Sequence, residues 1–130
     1  MKKQIIKTIH APTPIGPYNQ AIKVDDTLYV SGQIGLDPKT MAFVNESVEI
    51  ETEQVMKNLS AILKAAQMNF GDVVKTTIFL DNMSNFHKVN AVYGSYFDEN
   101  IAPARETVAV KTLPKNVKVE ISIIAIRSNN

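Results

Sequence analysis

With 130 residues, 45% of them hydrophobic and 21% charged, the chain is long enough to build one packed core and has the composition of a soluble globular domain. Its net charge of +1 supplies no broad field to gather nucleic acid or an anionic membrane. The lack of cysteine excludes disulfides, thiolate catalysis and thiolate metal sites. The start, MKKQIIKTIHAPTP, has no apolar run of the secretory kind, and no stretch approaches a membrane span. A single cytoplasmic domain over residues 1–130 is therefore expected, and the Asn-x-Ser triplets at Asn45, Asn58 and Asn82 are expected to be coincidental.

Residues 3–8 read as a first strand. The stretch HAPTPIGPYNQA, with three prolines and a glycine, reads as an ordered irregular loop. IKVDDTLYVSGQI predicts two strands around a turn at Asp25-Asp26, the second ending where Ser31-Gly32-Gln33 should change the chain direction. Residues 34–46 form a loop with a turn at Asp37-Pro38-Lys39-Thr40. From Val48 to Met68 the spacing of Val48, Val55, Leu59, Ile62, Leu63 and Ala66 predicts an amphipathic helix. Glu49, Glu51 and Glu53 crowd its first turns and Lys64 lies near its end, the order that a helix dipole favours. Gly71-Asp72 interrupts, and VVKTTIFL reads as a strand. Ser84 is the expected N-cap of a second helix with Phe86, Val89, Tyr93, Tyr96 and Phe97 as its apolar stripe. Two further strands follow Pro103, joined by Leu113-Pro114-Lys115-Asn116.

The resulting order, β-β-β-α-β-α-β-β, predicts an α+β sandwich with both helices on one face of a sheet. The last strand adds a requirement. Val117, Val119, Ile121 and Ile123 alternate, yet Ile124 and Ile126 also place apolar groups on the face the helices cannot cover. Another subunit is the economical cover, so a homo-oligomer is expected.

If the last two strands close as an antiparallel hairpin with Thr112 opposite Val117, Val108, Val110, Val119 and Ile121 share the helix-covered face. Arg105, Thr107, Ala109, Glu120 and Ser122 then share the other. On that face Arg105 and Glu120 are either a solvated or structural pair, or a carboxylate grip beside a carboxylate that works on a water. Periodicity does not choose between them. Glu106 is expected on the helix side or a strand edge.

The segments IGPYNQA, VSGQIGLDP, GDVVKTTIFLDNM, VNAVYGSYF, PARETV and LPKNVKVEI stand in the order and spacing of the RidA (YjgF-type) family, and the chain resembles that family from about residue 5 to residue 127. The resemblance implies a chorismate-mutase-like fold and a homotrimer with three clefts between subunits. It further implies hydrolysis of 2-enamine and 2-imine acids, such as 2-aminoacrylate and 2-iminobutyrate, to 2-keto acids and ammonia without a cofactor. Arg105 resembles the arginine that clamps the substrate carboxylate, a task suited to a planar guanidinium fork. Glu120 resembles the acid that orients or deprotonates the attacking water. Tyr18, Ser31, Gly32 and Asn90 match positions lining the cleft, and Thr107 stands where numerous members carry cysteine.

For Tyr18 the plain alternative is loop packing, for Ser31-Gly32 turn chemistry, and for Asn90 a helix–sheet hydrogen bond. His10 and His87 lack metal spacing, and no nucleotide-binding or serine-hydrolase motif is present. The competing functional readings are a keto-acid-binding regulatory module and an RNA-acting translation inhibitor. The scattered lysines and the lack of paired catalytic histidines count against the second.

Overall fold

A computed structural model describes residues 2–127. Its strands are β1 (Lys3–Ile6), β2 (Ala21–Val24), β3 (Thr27–Gln33), β4 (Val73–Leu80), β5 (Ala104–Ala109) and β6 (Val119–Ile126), with helices α1 (Val48–Ala65) between β3 and β4 and α2 (Phe86–Gly94) between β4 and β5. The strands form one sheet in the order β1-β2-β3-β6-β4-β5. All neighbours are antiparallel except β4 and β5, which run parallel through the α2 crossover.

Helix α1 begins where the Ser47 hydroxyl accepts the Ile50 N–H at 3.1 Å, and Glu49 and Glu51 follow in its first turn. Val55, Leu59, Ile62 and Leu63 point into the core with Leu28, Ile78, Val119 and Ile121, all at most 1% exposed. Burial of each large aliphatic side chain contributes about 1.5–3 kcal/mol. At the far end of α1, the Arg127 guanidinium donates to the Ala66 and Gln67 carbonyls, each at 2.9 Å. That satisfies carbonyls of the turn that ends the helix, which have no partner within it. The expected N-cap of α2 is not Ser84. Asn82 accepts the Ser84 N–H at 2.8 Å in a short 3-10 turn over Met83–Asn85, and α2 starts only at Phe86. Tyr96 and Phe97 lie just beyond α2 but still pack against the core.

The expected hairpin between the last two strands does not form. Strand β5 lies at the sheet edge, and β4 separates it from β6. The connection 110–118 is a crossing over the end of β4. Val110 N–H bonds to Leu80 C=O and Asp81 N–H to Lys118 C=O, while Leu113 and Val117 are buried beneath it. Lys115 and Asn116 take left-handed conformations, at φ 58° and 56°, which bend this crossing tightly.

The change of partner also changes faces. Arg105 is registered with Thr76, which is registered in turn with Ile123. Arg105, Thr107 and Ala109 therefore share the helix-covered side with Val119 and Ile121. Glu106 and Val108 lie on the open side with Glu120 and Ser122. Arg105 and Glu120 project from opposite faces of the sheet. On the open face Ile5, Tyr29, Val108 and Ile126 are 44–51% exposed, beside half-buried Ile22, Phe79 and Ile124. The second apolar face expected from Ile124 and Ile126 is present.

Candidate functional site

The residues expected to form a site fall into two separate groups. The first lines a cleft of about 490 Å³ between the proline-rich loop, the end of β3 and the start of β6. The loop is held by one amide. Gln20, 4% exposed, donates to the carbonyls of Thr8, Ala11 and Pro12 at 3.0–3.1 Å and accepts the Thr8 N–H at 2.8 Å. This arrangement satisfies loop backbone that would otherwise be buried without partners. It sets Tyr18, 49% exposed, along the cleft wall with Pro12, Ile15 and Pro114.

Ser31 and Gly32 sit where the β3–β6 ladder slips register between Val30 and Gln33. The chain bulges there and continues to Gln33 instead of turning away. The Ser31 hydroxyl donates to Asn19 C=O at 2.6 Å, tying the bulge to the loop. Gly32 comes so close to β6 that a methyl group on it would stand 2.8 Å from the Glu120 carboxyl carbon. Among the described residues Glu120 is the only carboxylate along this cleft, and burial pushes its carboxyl above the ordinary carboxylate range. Tyr18, Ser31, Gly32 and Glu120 are thus brought together.

The second group lies on the helix-covered side at the β5 edge. The Arg105 Nη1 donates to Asn90 Oδ1 at 2.7 Å. The guanidinium carbon stands 5.1 Å from the Tyr93 ring centre and 5.8 Å from that of Phe86. Two residues along the strand, the Thr107 hydroxyl is buried without a hydrogen-bond partner, an orphan of the kind that calls for a ligand or partner group. Asn90 spends its oxygen on the arginine, a hydrogen bond from helix to sheet.

Sequence reading missed the aromatic support. Phe86 and Tyr93 do belong to the apolar stripe of α2, and the same stripe also carries Asn90, so a polar residue in that row was the available signal. Glu106 lies on the edge strand β5, as one of its two expected positions had it, and faces the open side, not the helix side. Lys75, 2.7 Å away, and the Thr77 hydroxyl hold its carboxyl below the ordinary range. Among the described residues no group of three or more His, Asp or Glu is placed to hold a metal ion, and no helix is long and apolar enough to cross a membrane.

A carboxylate that titrates late beside a small cleft is equipped to take and return a proton. An arginine with an oriented fork is equipped to hold a carboxylate. Comparison with known proteins bears on the pair. The model of the family described as endoribonuclease L-PSP matches residues 8–127. A RutC family protein of Synechocystis is 51% identical over 127 residues, covering 97% of this chain and 98% of that one. The human protein named 2-iminobutanoate/2-iminopropanoate deaminase is 46% identical over 125 residues, covering 96% and 90%. The crystal structure of RidA from an Antarctic Psychrobacter superposes with a TM-score of 0.91 at 42% identity, over 95% of this chain and 99% of that chain. By match, by identity over nearly its whole length and by shared fold, the chain belongs to the RidA (YjgF) family, the family of the L-PSP model.

Proposed function

We propose that the protein hydrolyses reactive 2-imine acids and their enamine tautomers to 2-keto acids and ammonia, in a cleft that two copies complete. The observation that carries this reading is the Glu120 carboxylate, set against Gly32 inside the cleft and raised in pKa by burial. The family's deaminase-named members support the reaction class.

In the reaction, Arg105 grips the substrate carboxylate and fixes the imine carbon relative to a water. Glu120 takes a proton from that water as its oxygen bonds to the carbon of C=NH2⁺. The adduct carries one hydroxyl and one amino group on the former imine carbon. Glu120 then returns its proton to nitrogen, the C–N bond breaks and ammonia leaves. Glu120, again ionised, takes the hydroxyl proton as the carbonyl forms and passes it to the departing ammonia, so iminium plus water become keto acid plus ammonium. Tyr18 and Ser31 line the substrate path, and Asn90 and Thr107 flank the carboxylate end.

Because Arg105 and Glu120 project from opposite faces of one sheet, a single copy cannot bring them to one ligand. The apolar open face, with Tyr29, Ile124 and Ile126, is suited to pack against other copies, and a trimer gives three such sites. The test is complementation. Arg105→Ala and Glu120→Ala are each expected to be inactive on 2-iminobutyrate generated by a dehydratase, with semicarbazide as trap. Dissociated, mixed in equal amounts and reassembled, they should recover about a quarter of wild-type activity, since a quarter of the shared sites receive both intact residues. No recovery from a properly assembled mixture would place both residues in one copy's site and defeat the shared cleft. Inactive wild type that still binds 2-ketobutyrate would make the protein a keto-acid-binding module.

A further inference from the structure

Helix α2 presents Phe86, Asn90 and Tyr93 to β5, spaced four and three residues apart and so aligned on one helix face. Together they form a saddle for the guanidinium of Arg105. We infer that Tyr93 is a positioning residue for Arg105, its ring face holding the guanidinium in the orientation that receives a ligand carboxylate. The inference rests on the reading of Arg105 as the carboxylate grip.

Tyr93 is only 5% exposed, whereas Arg105 is exposed, so the arginine lies over the ring from the solvent side. The ring is locked from behind. Its hydroxyl meets Thr76 Oγ1 at 3.0 Å, and Phe97 packs against it with ring centres 4.7 Å apart. Thr76 is fully buried and is the β4 residue registered with Arg105 itself. The hydroxyl therefore ties the ring to the same rung of the ladder that fixes the arginine backbone. The Asn90 oxygen clamps one guanidinium nitrogen. An arginine on an exposed edge strand would otherwise sample many rotamers and lose that freedom on gripping a ligand. A fork ordered beforehand binds without that loss. A ring serving only as core filler would have no need of a polar tether aligned with the arginine's own rung.

The experiment follows the guanidinium directly, by the NMR signals of the Arg105 side chain in ligand-free protein, with the affinity for 2-ketobutyrate as second readout. Wild type is expected to show slow guanidinium rotation, and Tyr93→Phe, which keeps the ring face but loses the tether to Thr76, should quicken it slightly while leaving affinity similar. Tyr93→Leu should show fast rotation and bind about fivefold more weakly, with kcat on 2-iminobutyrate within about twofold of wild type at saturation. Thr76→Val, which loosens the ring without removing it, covers the case of a poorly folding leucine variant and should quicken rotation to a lesser degree. Unchanged rotation in both Tyr93→Leu and Thr76→Val, or affinity independent of the ring, would overturn the inference. If wild type neither binds keto acid nor turns over imine, the proposed function falls, while the rotation rates still decide what Tyr93 does.

Discussion

Gly32 and Glu120 are in van der Waals contact across the β3–β6 bulge, with room for a hydrogen on Gly32 and for nothing larger. Gly32→Ala should therefore displace the carboxylate without unfolding the chain, because the neighbour it meets is the end of a flexible side chain. The expected result is a loss of at least tenfold in imine hydrolysis against a stability cost of about 1 kcal/mol. Activity and urea unfolding measured on the same preparation separate the two.

Glu120 must be ionised to accept a proton, and burial places its pKa above the ordinary 4.5. Hydrolysis should consequently fall as pH drops, on a limb displaced upward from that of an exposed glutamate. Glu120→Gln should lower kcat by on the order of a hundredfold and abolish the limb. A pH profile of trap-competed turnover for both proteins checks this, and an identical limb in the glutamine variant would assign it to another group.

Glu51 is buried at the start of α1, where it accepts the Lys118 N–H at 2.8 Å. Burial raises its pKa above 4.5. Since the folded state then holds the proton more tightly than the unfolded chain, stability declines as pH rises from 4.5 through the folded value. Glu51→Gln keeps the acceptor oxygen and removes the buried charge. The variant should exceed wild type in stability at neutral pH by about 1 kcal/mol, with the difference vanishing below about pH 4. Urea melts at matched protein concentration across that range give the measurement.

Arg127 closes α1 through the Ala66 and Gln67 carbonyls. Arg127→Ala should cost about 1–2 kcal/mol and lower the melting temperature by several degrees, leaving ligand affinity unchanged. Calorimetry together with 2-ketobutyrate titration checks both halves.

Ile124 sits between Tyr29 and Lys75 in the open-face ladder. Ile124→Asp should prevent copies from packing there, yielding smaller particles with native-like circular dichroism. Sedimentation velocity would show the change in size.

The alternation within each strand was legible because a buried face leaves a period-two mark, and α1 was legible from its stripe and from the order of its charges. What periodicity could not supply was which strands are neighbours. At β5 it also had little to work with, since every residue from Ala104 to Ala109 except Thr107 is exposed. An edge strand is held by its ladder more than by its side chains, so Val108 gave a false sign of facing the core. The Leu113-Pro114-Lys115-Asn116 turn looked like a hairpin because the left-handed residues a hairpin uses also suit a tight crossing. Arg105 and Glu120 stood out as charges in apolar strands and took their expected roles from the resemblance, and their separation onto opposite faces became visible only once β4 was seen to lie between their strands.

That separation makes a single-layered sheet a partition. On the proposed reading, with the grip on one side and the base on the other, a newly made chain folds before it can act. Its chemistry then obeys mass action, with specific activity climbing steeply with protein concentration and then levelling off. Diluted far enough, a perfectly folded preparation would fall silent.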